Sequence, residues 1–155
     1  MNRFTLILLS MAAITSCAVN NSVTSSNPGG RDYGSPQVKQ VSLNETTFKI
    51  DAHSEDKAYG YSASKPVMVG GKLSGTGENE KKFLNALSGP NGESLKYSKM
   101  ESCCPFKTKN GLFKDSGTLE KYSITYEGLQ KPLVLYINTF DSDTLKVPEG
   151  LKLKN

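Results

Sequence analysis

Hydrophobic and polar residues alternate in the C-terminal third of the chain, and this pattern predicts two neighbouring strands. Tyr122, Ile124 and Tyr126 alternate with polar residues, the period of two that is typical of a strand with one solvated face. After a turn at Gly128, the run Leu133–Ile137 is apolar without a break, as in a strand buried on both faces. We predict that these two strands form the central hairpin of a sheet.

Four shorter segments are weaker strand candidates. They are Thr47–Ile50, Tyr59–Ser62, Pro66–Val69 and Ser94–Met100. Pro66 should begin its strand, because proline has no N–H to donate to a neighbouring strand. Strand candidates therefore outnumber helical ones.

One helix is predicted between these segments. Acidic residues fall in its first turn, apolar residues recur at helical spacing, and Gly89–Pro90 supplies a stop. The acidic residues are Glu78 and Glu80, and the apolar stripe is Phe83, Leu84 and Leu87. Together these patterns predict an α+β fold, a small and mainly antiparallel β-sheet domain with one short helix on one face.

The first residues have the layout of a secretory signal peptide. Arg3 precedes an apolar run that begins at Phe4 and ends near Ile14. This run is about half of the roughly 20 residues that a membrane-spanning helix needs. Its end, Ile14-Thr15-Ser16-Cys17, resembles the lipobox of bacterial lipoproteins, in which the cysteine is diacylated and becomes the new N-terminus. We predict a signal peptide at 1–16 and lipidation at Cys17; an ordinary secreted protein with a chance cysteine is the alternative.

The residues after Cys17 predict a tethered domain. Ala18, by resemblance to the sorting rule of enteric bacteria, favours the outer membrane. Residues 17–37 are rich in Ser, Asn, Gly and Pro, so we predict a lipidated N-terminus followed by a flexible spacer. The remaining residues, 38–155, are a normal size for a single globular domain.

The charge of the chain is mildly basic. There are 19 basic and 15 acidic residues, and loss of Arg3 with the signal peptide would leave a formal charge of +3. The lysines are scattered, with a mild cluster at Leu151–Lys154, which indicates a solvated surface. We expect no nucleic-acid partner, because the envelope lumen holds none. A weak attraction to anionic headgroups or lipopolysaccharide stays open.

Cys103 and Cys104 form the most unusual local feature. If Cys17 is lipidated, the pair has three fates: a mutual bond, a bond to another molecule, or two buried thiols. Adjacent α-carbons lie about 3.8 Å apart, below the usual disulfide range of about 4.4 to 6.8 Å. A mutual bond should therefore be strained and comparatively easy to reduce. Pro105 should push Cys104 into an extended conformation. With one distant histidine, the pair makes a poor zinc site, so a structural role is predicted.

The other polar motifs predict no chemistry. His53 is predicted to be a surface histidine, since no spacing selects a serine partner for it. Asp141–Asp143 offers two carboxylates but lacks the rest of a calcium loop, so a turn after a strand is predicted. Gly70–Lys72 and Gly75–Gly77 lack the order of a phosphate loop and predict chain reversals before the helix. No catalytic residue, metal or cofactor is predicted.

Five stretches resemble a group of small envelope lipoproteins of Gram-negative bacteria. They are Tyr59–Tyr61, Val69–Gly71, Phe83–Glu93, Ser102–Phe106 and Leu135–Asn138. The resemblance covers about residues 58 to 150. Members often bear the name 2-dehydro-3-deoxyphosphooctonate aldolase, but that enzyme resembles a TIM barrel of roughly 250 residues. The shorter exported chain cannot build such a barrel, and the substrates of the enzyme are cytoplasmic.

These observations predict a membrane-anchored envelope lipoprotein with a noncatalytic interaction or structural role. Its partners would be the membrane, through the lipid anchor, and an envelope protein or glycan. Such a role predicts an exposed apolar or aromatic patch. The alternative is a thiol-active or redox-linked protein that uses Cys103 and Cys104. Carriage of a lipid or another hydrophobic ligand would instead need a sizeable apolar cavity.

Overall fold

The computed structural model describes residues 30–71, 76–113 and 115–154. The predicted signal peptide, Cys17 and most of the predicted spacer lie outside these residues. Within them the chain forms β1 (Arg31–Asp32), β2 (Val67–Met68), α1 (Glu78–Asn85), β3 (Leu87–Ser88), β4 (Lys96–Lys107), β5 (Ser116–Thr125), β6 (Leu133–Asn138) and β7 (Lys152–Leu153).

Five of the strands form one sheet in the order β1-β4-β5-β6-β2. The central pairs, β4 with β5 and β5 with β6, are antiparallel, whereas β1 and β2 each add a parallel pair at an edge. Strands β3 and β7 form a second, antiparallel sheet. The predicted α+β class with one short helix is confirmed. The large sheet is mixed, because its two edge strands come from the N-terminal half and do not arrive through hairpins.

The predicted central hairpin is confirmed. Strand β5 pairs with β6 so that Tyr122 lies opposite Leu135. Tyr122 and Ile124 are buried while the residues between and beside them are half-exposed, as the alternation predicted. In β6, Leu135 is buried but Val134 and Tyr136 are half-exposed. The prediction that this strand is buried on both faces is therefore wrong, because only one face is fully covered.

Two of the weaker strand predictions are confirmed and two are not. Strand β2 begins at Val67, directly after Pro66. The predicted strand Ser94–Met100 overlaps the first part of β4, which begins at Lys96 and is much longer. Segment Thr47–Ile50 forms only an isolated bridge through Phe48. Segment Tyr59–Ser62 is a turn around Gly60, whose φ of 79° is incompatible with an extended strand.

Helix α1 begins at Glu78 as predicted but ends at Asn85, one turn before the predicted stop. Leu87, assigned to the helical stripe, lies instead in β3 opposite Leu153. The amide of Lys154 donates to the carbonyl of Ala86 at 2.8 Å, so pairing with the C-terminal strand ends the helix. Across the described residues, no helix is long and apolar enough to cross a membrane.

A hydrophobic core lies between α1 and the sheet. Its most deeply buried members are Val67, Val69, Phe83, Leu84, Ile124, Leu135, Ile137 and Val147. Leu119 and Tyr122 are both buried although they are three residues apart, so they lie on opposite faces of β5. Phe106 is buried outside this core, with the rings of Tyr33 and Phe140 at 5.0 and 6.1 Å. Both faces of the sheet are thus partly covered.

The N-terminal segment 31–37 lies against the sheet, although the sequence placed it in the spacer. Arg31 and Asp32 pair with Phe106 and Lys107, and the amide of Ser142 donates to the carbonyl of Pro36 at 3.0 Å. These residues, which precede the predicted boundary after residue 37, therefore pack on the sheet. The composition is polar, but the ring of Tyr33 on Phe106 anchors the segment.

Candidate functional site

Cys103 and Cys104 are joined to each other, with their α-carbons 3.7 Å apart. Both are half-exposed in β4, at a point where the register with β5 shifts. Between Cys103 and Phe106, β4 has one residue more than the paired segment of β5, which defines a bulge. A bulge suits Pro105, because proline has no N–H for the ladder. The sequence left three alternatives open for this pair, and the structure contains the bond between the two cysteines.

Cys104 has a φ of 56°. The expectation that Pro105 holds this residue in an extended conformation is wrong. Left-handed backbone at a residue other than glycine costs on the order of 1–3 kcal/mol and persists only where its surroundings fix it. Here the bulge and the bond to Cys103 fix it, and they override the preference of a residue before proline.

Polar side chains surround the cysteine pair on the β4–β5 ribbon. The hydroxyl of Ser102 donates to Glu120 at 2.7 Å, and Lys99 forms an ion pair with the same carboxylate at 3.1 Å. Glu101 pairs with Lys121 beside them. His53 is exposed, as predicted, and its backbone pairs with Val147 beyond β6. The hydrogen bond of Ser102 and the two ion pairs each join a side chain of β4 to one of β5.

Asp141 is fully buried in the turn after β6, where the sequence predicted a turn. Its carboxylate accepts hydrogen bonds from the amides of Asn110 and Asn138, both at 2.8 Å, and from the hydroxyl of Thr108. Asp143 is exposed and accepts from the amide of Thr144. The carboxylate of Asp141 thus accepts hydrogen bonds from three neutral donors. These bonds connect the loop after β4 to the end of β6. The described residues contain no group of three or more potential metal ligands.

An open groove of about 710 Å³ lies beside this turn. It is bounded by the N-terminal segment, the start of α1, the loop after β4 and the turn after β6. Phe48 and Phe140 provide apolar surface, and three lysines far apart in sequence surround it. These are Lys39, Lys82 and Lys109. No local sequence pattern indicates the groove, because only the fold brings these lysines together.

The groove lysines are free to bind an anion. The ion pairs of the described residues use other lysines, and the described lining contains no carboxylate. The ammonium of Lys82 lies 5.9 Å from the centre of the Phe48 ring, within cation–π range. The amide of Asn79, by contrast, donates to the carbonyl of Val69 at 2.8 Å and serves the fold. The groove is therefore basic, with lysine ammonium groups as its available donors.

The predicted chain reversal at Gly70–Lys72 contributes backbone to this groove. A Cβ on Gly70 would lie 2.4 Å from the carbonyl oxygen of Phe140, so only glycine allows the two segments to approach. The amide of Gly70 donates to the carbonyl of Asp141 at 2.8 Å. Residues 72–75 lie outside the described residues, and with them Lys72 of this motif and Gly75 of the second one. Gly77, which ends the second motif, lies directly before α1 and has a φ of 79°.

A second depression, of about 720 Å³, lies on the other side of Phe48. Ile50 and Ala86 line it together with polar residues such as Asn44, Asp51 and Lys154. This mixed lining does not match the apolar cavity that carriage of a hydrophobic ligand requires.

Glu80, one of the two acidic residues in the first turn of α1, is buried to 1% exposure on the sheet side of the helix. Burial raises the pKa of this carboxyl, and its Oε2 atom has no hydrogen-bond partner among the described residues. Burial likewise raises the pKa of Tyr122 to about 12, with the negative charge of Glu80 as the next cause. Glu80 precedes Phe83 and Leu84 by three and four residues, so helical periodicity places it on the same buried face.

Comparison with the models of known protein families, with curated proteins and with solved structures finds no match to this chain. The described architecture, one helix with a mixed sheet and a small antiparallel sheet, differs from a barrel of eight strand–helix units. The candidate sites of the domain are therefore the basic groove and the cysteine pair.

Proposed function

We propose that the chain is the precursor of an envelope lipoprotein, which is cleaved before Cys17 and anchored by lipid on that residue. Ala18 favours sorting of this lipoprotein to the outer membrane. The observation that carries this proposal is the order of Arg3, an apolar run and Ile14-Thr15-Ser16-Cys17. Each buried methylene contributes about 0.8 kcal/mol, so several acyl chains would hold the protein on the membrane permanently.

The domain on this anchor is proposed to be a noncatalytic binding module for phosphate groups at the membrane surface. The basic groove supports this role, because its three lysines form no ion pair with a described carboxylate. Phosphate-bearing headgroups, those of lipopolysaccharide included, are the anions that an anchored domain meets at highest concentration. A lysine near an anionic lipid surface contributes about 1 kcal/mol.

Two triple variants test the groove at equal net charge. In an unlipidated chain without residues 1–17, Lys39→Gln, Lys82→Gln and Lys109→Gln remove the groove lysines. The matched control, Lys96→Gln, Lys131→Gln and Lys152→Gln, removes three exposed lysines elsewhere. Co-sedimentation with vesicles of phosphatidylcholine and phosphatidylglycerol should show a loss of affinity of about tenfold or more for the groove variant, since tenfold corresponds to about 1.4 kcal/mol.

The control variant should bind the same vesicles within about twofold of the unsubstituted chain, which is less than 0.5 kcal/mol. Vesicles of phosphatidylcholine alone should bind none of the three proteins strongly. An equal loss in both triple variants would mean that net charge alone matters, and would contradict a role for the groove.

Thiol exchange at Cys103–Cys104 is the second candidate function. It is favoured by the position of the disulfide, which is half-exposed on a bulged strand. The disulfide would accept two electrons and two protons from a partner dithiol, giving two cysteine thiols while the partner becomes a disulfide. Exposed disulfides are the ones most open to such exchange.

Thiol labelling tests this second function. The mature protein is treated with maleimide before and after a mild reductant, with a Cys103→Ser, Cys104→Ser variant as control. Two additional labels after reduction at native pH would support exchange. Sulfurs that stay unlabelled until the protein is unfolded would exclude it.

A further inference from the structure

The loop between β4 and β5 exposes two large apolar side chains. Leu112 and Phe113 are 75% and 81% exposed, more than the other large hydrophobic residues of the described chain. They are adjacent at the end of the hairpin. Such a pair at a protruding loop costs solubility, so it indicates a contact surface.

The loop is held in place at its base. The amide of Thr108 donates to the carbonyl of Asp115 at 3.0 Å, and the amide of Ser116 donates to the carbonyl of Phe113 at 3.1 Å. Buried Asp141 accepts from the side chains of Thr108 and Asn110. A Cβ on Gly111 would lie 2.2 Å from the carbonyl oxygen of Ser116, so the close approach needs glycine. The described residues around the apolar pair are therefore held by contacts at the base of the loop.

Positive charge lies beside the apolar pair. Lys107 and Lys109 are exposed and belong to none of the ion pairs of the described residues. Asp115, exposed at the base of the loop, is the acidic residue closest in sequence. Apolar side chains flanked by lysines match an anionic bilayer, with the rings and methyl groups among the lipids and the ammonium groups at the phosphates.

The chain that leads back to Cys17 joins the domain close to this loop. Arg31 pairs with Phe106, two residues before Thr108, and the amide of Lys109 donates to the hydroxyl of Ser35 at 2.9 Å. A fully extended chain spans at most about 3.6 Å per residue. The 13 residues from Cys17 to Gly30 therefore reach no farther than about 47 Å, which keeps this end of the domain near the anchoring bilayer.

We propose that the loop carrying Leu112 and Phe113 is a second membrane contact, which inserts these side chains into an anionic bilayer while Lys107 and Lys109 bind its headgroups. This inference rests on the proposed lipid anchor at Cys17. It also deepens the proposed function, because Lys109 lines the basic groove and insertion of the loop brings the groove to the level of the phosphates.

A single-tryptophan reporter tests the inference, since the chain contains no tryptophan. Phe113→Trp places the reporter in the loop. Gln130→Trp places it in the exposed turn after β5, at the opposite end of the same strand. Both full-length proteins are lipidated in cells and reconstituted in vesicles of phosphatidylcholine and phosphatidylglycerol, with and without brominated acyl chains.

The inference predicts that emission from Phe113→Trp shifts to shorter wavelength on vesicles and loses intensity with brominated lipid, while Gln130→Trp does neither. Adding Lys107→Gln and Lys109→Gln should reduce the quenching of Phe113→Trp on anionic vesicles. Equal, unshifted emission from both reporters on protein that floats with the vesicles would overturn the inference and leave the anchor intact. Protein that fails to float with vesicles would contradict the lipid anchor itself, and the inference with it.

Discussion

The two strands that flank β5 are built in different ways. In β6, buried Leu135 and Ile137 face the core, and the strand is specified by its apolar residues. In β4, the five residues Ser98–Ser102 are exposed on both faces, and two register shifts interrupt the pairing with β5. The position of β6 is thus fixed by the packing of its apolar side chains. The position of the exposed part of β4 depends on backbone pairing with β5, on the bulges and on the loop that follows. The cysteine pair therefore lies on the less packed side of the sheet, whereas the basic groove also borders α1 and the turn after β6.

The largest test of this difference compares one apolar residue on each side of β5. Leu135→Ala should destabilise the protein by about 2–5 kcal/mol, because it leaves a cavity in the core. Met100→Ala, on the exposed part of β4, should change the free energy of unfolding by less than about 0.5 kcal/mol. Urea unfolding measures both. Similar losses for the two variants would mean that β4 is packed as tightly as β6.

The second prediction concerns Asp141, whose hydrogen bonds we expect to be the main support of the loop after β4. Asp141→Ala leaves the buried donors of Thr108, Asn110 and Asn138 without their acceptor, and each unsatisfied group costs about 1–3 kcal/mol before relaxation. We expect a loss of about 3 kcal/mol in urea unfolding. Asp143→Ala, two residues on and exposed, should be nearly neutral. A neutral Asp141→Ala would show that the loop holds without this network.

The smallest predicted effect is the contribution of buried Glu80 to the free energy of unfolding, and it depends on pH. Because burial raises the pKa of Glu80 above its ordinary value of 4.5, the folded chain binds this proton more tightly than the unfolded chain. The stability due to the protonated carboxyl is complete below the unfolded pKa, and is lost as the pH rises through the folded pKa. Glu80→Gln should therefore stabilise the protein by roughly 1 kcal/mol at neutral pH.

At a pH below the unfolded pKa, Glu80→Gln should leave stability unchanged. Thermal unfolding of both proteins across the acidic range measures the difference. Glu78→Gln, exposed in the same turn, is the matched control and should show no such dependence. A stabilisation by Glu80→Gln that is equal at all pH values would contradict titration as its cause.

The sequence predicted the parts of the fold that local pattern specifies. Tyr122 and Ile124 were placed by their period of two, and Phe83 and Leu84 by helical spacing, because each segment buries one face. Leu87 was misplaced because its pairing with Leu153 depends on a strand 66 residues away. The parallel edges of the sheet were missed for the same reason.

The candidate sites were less predictable than the fold. Cys103 and Cys104 stand out in any sequence, but the positive φ of Cys104 depends on a bulge relative to β5. Lys39, Lys82 and Lys109 belong to three separate segments and have no common motif. Asn138, three residues before Asp141, was a usable local signal, because its side chain accepts from the amides of Phe140 and Asp141.

The central claim is that the mature protein begins at Cys17 with lipid on its sulfur. Mass spectrometry of the protein purified from membranes measures this directly. The account predicts an N-terminal peptide that begins at Cys17 and carries a thioether-linked diacylglyceride, and no peptide from residues 1–16. A free thiol at Cys17, or residues 1–16 still attached, would contradict it.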